Sequence, residues 1–247
     1  MAASTVLYHV SDLHFGYEDR DALAWFLAEV KRERPAAVIC TGDLTMRGSA
    51  REFALAQEWL ESVPVPVTLE PGNHDVPYYH HMVRRLTRPY ERYRALEAAI
   101  EGELDLADVA LVPLNTVARA QFRLNWSKGR IGAADLDAAL HGLAVQADKP
   151  LRLVTAHHPL VEADTTATAS TRGGKAALAA LVRAGASAVL TGHVHDAFDL
   201  SLEVEGRPIR LIGAGTLSQR LRSTPPSYNR LEWNADTGLR VGRCQLG

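Results

Sequence analysis

The chain has 247 residues, of which 47% are hydrophobic and 23% charged, and its net charge is −2. That is an ordinary globular composition with ample material for a core, and it excludes a disordered, fibrous or collagen-like chain. With no basic surplus to grip a polyanion, broad nucleic-acid binding is disfavoured as well.

Taken in order, residues 6–10 form an apolar run that predicts a buried strand. Leu23, Phe26, Leu27 and Val30 follow at i, i+3, i+4 and i+7, one face of a helix over 19–34 that Pro35 stops. Residues 36–41 predict a second strand, and the spacing of Phe53, Ala56 and Leu60 a second helix. A third strand, 65–69, starts among prolines. Further strands are predicted at 109–114, 151–156, 188–191 and 209–212, with helices at 133–146 and 174–184. The last third is strand-rich, adding 200–204, 230–233 and 239–242. Strands alternating with helices, then a run of strands, predict an α/β layered architecture, a single domain over 1–247.

Two stretches fit less well. Segment 77–104 carries Tyr78, Tyr79, His80 and His81, then a charged helix broken near Pro89, and reads as a small helical cap insertion with an exposed face suited to a homodimer. Segment 161–174 is rich in Thr, Ala, Ser and Gly and reads as a mobile loop. Cys40 and Cys244 are too few for a disulfide framework, and Cys40 ends an apolar run as a small buried hydrophobe. No basic leader and no apolar run of roughly 20 residues is seen. The expectation is a soluble, cytoplasmic protein without membrane contact.

Chemistry gathers after the strands. The first is followed by Asp12-Leu13-His14, the second by Gly42-Asp43, and the third by Gly72-Asn73-His74-Asp75. Two later strands lead into His157-His158-Pro159 and Gly192-His193-Val194-His195. Ligand sites of α/β sheets collect at the carboxyl ends of strands, so these segments can converge in space. Alone, each has a plain reading. Asp-x-His is a common surface loop, Gly-Asp a turn, Asn73 or Asp75 a helix cap, and His157-His158-Pro159 a turn around a packed histidine. Together, in this order, they fit a pair of divalent cations. Carboxylates, imidazoles and an amide oxygen, with no thiolate, favour Mn, Fe or Zn. Two such cations clamp the attacking and leaving oxygens of a phosphoryl group and make a bound water acidic enough to act as nucleophile.

The ordered set D-x-H, G-D, G-N-H-D, H-x-P, G-H-x-H, spread over residues 12–195, resembles the calcineurin-like metallophosphoesterase superfamily. The surroundings, Ser11 to Gly16, Thr41 to Thr45 and Pro71 to Asp75, resemble its bacterial branch with class III cyclic-nucleotide phosphodiesterases. Ala214 to Arg220, then Pro226 to Asn229, resembles the C-terminal region of bacterial members. The resemblance implies a four-layer sandwich of two mixed β-sheets flanked by helices. It implies that Asp12, His14 and His195 hold one metal, that Asn73, His157 and His193 hold a second, and that Asp43 bridges them. His74 would protonate the leaving oxygen or stabilise the transition state, and Asp75 would orient His74. The implied reaction is hydrolysis of a small phosphate ester by a metal-bridging hydroxide. A phosphodiester, such as a cyclic nucleotide, is favoured over a monoester, and a catalytically silent scaffold is the outside alternative. Since the motif is His, any residue, Pro, His157 is the ligand and His158 either supports it or is packed. His80, His81, Arg220 and Arg222 are candidates for substrate contact, against a plain surface role.

Overall fold

The computed structural model describes residues 4–78, 81–120, 125–163, 165, 167–168 and 171–247. Ten strands form two five-stranded sheets. In the first, β1 (Thr5–Val10), β2 (Ala37–Cys40) and β3 (Val67–Leu69) are parallel, and β9 (Ser227–Asn234) and β10 (Gly238–Gln245) join antiparallel, in the order β10-β9-β1-β2-β3. In the second, β4 (Val109–Pro113), β5 (Leu151–Thr155), β6 (Ala188–Thr191) and β8 (Arg207–Gly213) are parallel, with β7 (Phe198–Val204) antiparallel at the edge, in the order β4-β5-β6-β8-β7.

Alternation along the central strands feeds two cores at once. In β1, Leu7 points between the sheets while Tyr8 points to the outer helices; in β2, Ile39 and Val38 divide the same way; in β5, Leu153 and Val154 do so. Both faces are buried, so these strands read as continuous apolar runs. The edge strand β7 instead alternates half-buried and exposed positions. Leu7, Ile39, Leu153, Leu190, Ile212 and Leu231 glue sheet to sheet.

Helices α1 (Arg20–Glu33), α2 (Ala50–Glu61) and α4 (Glu91–Ile100) cover the first sheet through Phe26, Phe53, Leu60 and Leu96. Helices α5 (Ala133–Val145) and α6 (Gly174–Arg183) cover the second through Leu143, Leu178 and Leu181. The result is the expected four-layer sandwich. Local signals start and stop the helices. Asp19 caps α1 by accepting from the N–H of Asp21 and Ala22, and Ser49 and Glu52 form a reciprocal capping box on α2.

Segment 77–104 is divided. Only α3 (Met82–Thr87) stands outside the core, showing exposed Met82, Val83 and Leu86. The second half, α4, packs on α2 and β3 and buries Tyr93 and Leu96, which makes it part of the outer helical layer. Tyr79 and His80 lie outside the described residues, as does part of the 161–174 stretch. No helix among the described residues is long and apolar enough to cross a membrane.

Strand register sets the site. Val10 pairs with Cys40 and Cys40 with Leu69, so the first sheet's parallel strands end level; Thr155 and Leu190 pair likewise in the second. The loops that follow start from common rims.

Candidate metal centre

The loops after β1 and β2 stay zipped beyond the sheet. Asp12 N–H donates to the Gly42 carbonyl at 2.9 Å and His14 N–H to the Asp43 carbonyl at 3.0 Å. The chain turns sharply here: Asp12, His14, Asp43, His193 and His195 all have positive φ, from 46° to 70°. Among the described non-glycine residues, only Arg34 and Glu205 share that conformation. The left-handed region costs a residue with a Cβ about 1 kcal/mol, and such strain concentrates at functional sites.

Two glycines let the backbones close in. A Cβ on Gly72 would stand 2.1 Å from the Asp43 nitrogen, and one on Gly192 would stand 1.7 Å from Ser11 Oγ. Neither position has room for a side chain.

The seven expected donors converge. Asp12 Oδ1 lies 3.0 Å from His195 Nε2 and 3.6 Å from His14 Nε2. His157 Nε2 lies 3.3 Å from Asp43 Oδ2 and 3.2 Å from Asn73 Oδ1. The His193 ring centre is 5.2 Å from that of His157, and its backbone N–H donates to Asp12 Oδ2 at 2.8 Å. Asp43 Oδ2 also lies 3.8 Å from His14 Nε2, so this one oxygen faces both groups.

The donor set fits cations for a specific reason. His14 Nδ1 sits 3.3 Å from the Thr45 carbonyl, His195 Nδ1 2.6 Å from the Arg220 carbonyl, and His157 Nδ1 2.7 Å from the Thr41 carbonyl. Carbonyl oxygens only accept, so each Nδ1 carries a hydrogen, and each ring once neutral turns the lone pair of Nε2 inward. The Nε2 atoms of His14 and His195 then face each other at 3.2 Å. Asp12 Oδ1, fully buried, has no hydrogen-bond partner. Facing lone pairs and an orphaned carboxylate oxygen repel unless positive charge stands among them.

Electrostatics carry the same signature. Burial opposes ionisation of Asp12 and Asp43, yet His195 and His14 beside one, and His157 and His74 beside the other, hold both carboxyls well below the usual carboxylate range. Burial also works against a charged His157, but the adjacent Asp43 carboxylate pushes it up to about 9. Burial and the neighbouring His157 push His193 down to about 3.

His74 and Asp75 sit differently from each other. His74 Nδ1 lies 2.6 Å from the Met46 carbonyl, and its ring stands edge-on to His14, with centres 4.9 Å apart. The expectation that Asp75 orients the His74 ring is not met by a direct contact. The Asp75 carboxylate accepts from the backbone N–H of Leu44, Thr45 and Gly72 and from Thr45 Oγ1, at 2.8–3.1 Å. It ties the loops after β2 and β3 together, and the Met46 carbonyl holds the ring.

His158 is resolved as packed support. Its Nδ1 accepts from Thr116 Oγ1 at 2.9 Å, its Nε2 donates to the Ser127 carbonyl at 2.8 Å, and its ring lies 4.4 Å from that of His193. With both ring nitrogens engaged, it braces His193 and has no donor left over.

The two candidate arginines part company. Arg222 is exposed, whereas Arg220 turns its guanidinium into the site, with Nη1 3.1 Å from His74 Nε2 and 3.3 Å from His14 Nε2. His81 is exposed at the start of α3. Beside His74 and Asn73, a cleft of about 50 Å³ is lined by Tyr78, Arg85, Trp126 and Ser127. Arg85 is buried, donates to the carbonyls of Pro77 and Arg119, and stacks 5.3 Å from the Trp126 ring centre. Trp126 therefore borders the site; Trp59 packs against Phe15 and Phe26 as core.

A stretch of 81 residues is 36% identical to the glycerophosphodiester phosphodiesterase GpdQ of Enterobacter lignolyticus, covering 28% of this chain and 29% of that protein. Among solved structures, a dimetal phosphatase from Danio rerio superposes with a TM-score of 0.65 at 14% identity, covering 98% of this chain and 99% of that one. A purple acid phosphatase from yellow lupin gives 0.67 at 11% identity over 99% of this chain and 52% of that one. At those identities the two structures speak for the fold. The family model for calcineurin-like phosphoesterases matches residues 5–197. Fold, ordered motifs and that match together make this chain a member of the calcineurin-like phosphoesterase family, whose members use divalent metal ions.

Proposed function

We propose that this protein hydrolyses phosphodiester bonds of small molecules at a dinuclear centre. Asp12, His14 and His195 would hold one divalent cation, Asn73, His157 and His193 the other, and Asp43 both. The observation that carries this reading is the ring of inward lone pairs, with His14 and His195 facing at 3.2 Å around the orphaned Asp12 oxygen. Two cations such as Mn, Fe or Zn, when bound, polarise the phosphoryl oxygens and activate water.

The chain's own residues do the rest. The carbonyls of Thr45, Thr41 and Arg220 fix the tautomers of His14, His157 and His195, so donor geometry is set before substrate arrives. His74 stands at the rim, outside the proposed ligand set, with Nδ1 tied to Met46 and Nε2 turned toward Arg220, where it can hold or pass the leaving-group proton. The cleft of Tyr78 and Trp126 beside it offers an aromatic wall to the departing alcohol.

The preference for diesters rests on the local similarity to GpdQ. A phosphomonoesterase is the second reading, supported by the charge of Arg220 beside the donors, which suits a dianion. After Mn reconstitution, the diester reading expects faster turnover of bis(p-nitrophenyl) phosphate than of p-nitrophenyl phosphate. The reverse ratio selects the monoester, and no turnover of either with both metals bound selects a silent scaffold. We also place the protein in the cytoplasm, on its two free thiols, which fractionation of cells tests. A homodimer face on Met82, Val83 and Leu86 is tested by sedimentation of the wild type against Val83→Lys.

A further inference from the structure

The segment after β8 is tied into the centre at every second residue. Thr216 Oγ1 donates to the Asp12 carbonyl at 2.6 Å, Ser218 N–H donates to Thr216 Oγ1 at 3.0 Å, and Arg220 N–H donates to Ser218 Oγ at 3.3 Å. The Arg220 carbonyl then accepts from His195 Nδ1 at 2.6 Å. Beyond it, Ser223 donates to Asp196 Oδ1 through both its N–H, at 3.1 Å, and its hydroxyl, at 2.7 Å. The backbone of Arg220 is thus fixed against two donors of the metal centre, Asp12 and His195.

Its side chain is the anomaly. Other arginines meet oxygens: Arg230 pairs with Glu33 and Glu232, Arg210 with Asp199 and Arg183 with Glu205, while Arg85, Arg92 and Arg243 donate to backbone carbonyls. Among the described residues, the Arg220 guanidinium has no carboxylate within 4.0 Å, and Nη1 points at two imidazole nitrogens and the Met46 sulfur. Its two imidazole partners turn lone pairs toward it and can accept its hydrogens, but they bring no negative charge, so the half-buried guanidinium keeps an unneutralised positive charge that an anion would offset. It lies on the far side of the His74 ring nitrogen from the Met46 carbonyl, within reach of the point where donors and His74 converge.

We propose that Arg220 binds a non-bridging phosphoryl oxygen of the substrate and holds it against the metal centre beside His74. This rests on the phosphoesterase reading above. The segment of residues 214–223 is then a substrate-binding element whose backbone also orients His195. An arginine fork gives charge-assisted hydrogen bonds to phosphate, and these strengthen as charge grows in the transition state. Arg222, two residues on and exposed, has the same charge without the aim, and serves as the control.

The test uses the full chain reconstituted with Mn, as wild type, Arg220→Ala, Arg220→Lys and Arg222→Ala. Metal content is measured by elemental analysis, inorganic phosphate binding by calorimetry, and kcat and KM on bis(p-nitrophenyl) phosphate. Arg220→Ala is expected to keep both metals, weaken phosphate binding about tenfold or more, and lower kcat/KM on the order of 10²-fold. Arg220→Lys recovers part of each loss and Arg222→Ala matches wild type. The proposal is overturned if Arg220→Ala binds phosphate like wild type, if it sheds metal (a purely structural role), or if Arg222→Ala falls equally. Wild type that binds phosphate through Arg220 without turnover removes the hydrolase reading and leaves the phosphate contact standing. An active wild type with an unaffected Arg220→Ala does the opposite.

Discussion

The two sheets bring different chemistry to the centre. Among the proposed ligands, loops after β1, β2 and β3 deliver both carboxylates, Asp12 and Asp43, with the amide of Asn73 and one imidazole, His14, and they also place His74 at the rim. Loops after β5 and β6 deliver imidazoles alone, His157, His193 and His195. The first half by itself is a crowd of acceptors, and the second a crowd of bases. Each side's charge state depends on the other: His195 and His157 of the second sheet, with His14 and His74 of the first, keep Asp12 and Asp43 ionised in spite of burial, and Asp43 raises His157. The site is therefore an interface property. Its alignment is set by the apolar layer of Leu7, Ile39, Leu153 and Leu190 between the sheets, and no single loop contains it.

Removing the oxygen that spans both halves should have the largest effect. Asp43→Ala is expected to lose metal and activity together, with turnover down on the order of 10³-fold or more; elemental analysis alongside kinetics checks it, and a variant with full metal content refutes the bridging role. Acid should uncouple the halves in the wild type. The imidazoles must be unprotonated to bind, and His157 holds its proton up to about 9 while it has only Asp43 for company. Metal loading, measured after dialysis, should begin to fall as pH drops below about 9 and continue to fall into the acidic range. His74→Ala should touch neither half's ligands. It is expected to keep both metals while turnover falls about 10²-fold, and loss of metal would put His74 among the ligands.

The smallest effect lies between the sheets, behind the site. Burial, aided by Glu101 and Glu97, pushes the Glu70 carboxyl up to about 8, against the hydrogen bond that Thr155 Oγ1 donates to it. The folded state then holds a proton that the unfolded chain releases near its ordinary carboxyl pKa. Stability falls as pH rises from about 4.5 toward 8. Glu70→Gln, which imitates the protonated form, should be more stable than wild type by about 1–2 kcal/mol at pH 8 and equal to it at pH 4. Chemical denaturation at both pH values checks this, and an equal gain at both refutes the titration.

Much of this was legible in the sequence, for definable reasons. Parallel strands buried on both faces leave uninterrupted apolar runs, and the metal-type residues follow those runs directly, so strands and donors could be read together. Boundaries moved where backbone chemistry intervened: β3 starts at Val67 because Pro66 has no N–H to give the ladder. What could not be read was direction. Asp75 is adjacent to His74 in sequence but turns away from its ring toward three backbone N–H groups. His158 could be read only as support for His157 or as packing, and the contacts of both its nitrogens with Thr116 and the Ser127 carbonyl are what fix it in place. Arg220 and Arg222 share charge and neighbourhood, and only the tethering of the 214–223 segment separates them. The helix α4 looked like a cap because its charged face dominates its composition, while Tyr93, Leu96 and Ile100 carry its contact with the core.

The five left-handed donors bear on how this protein could change over time. Glycine at any of them would relax the backbone by about 1 kcal/mol, and five such changes would approach the lower end of a domain's whole net stability. Under selection for persistence alone, with metal scarce, the shortest path to a sturdier chain runs through Asp12, His14, Asp43, His193 and His195. A heat-tolerance screen that does not also demand turnover should be expected to erase the centre first.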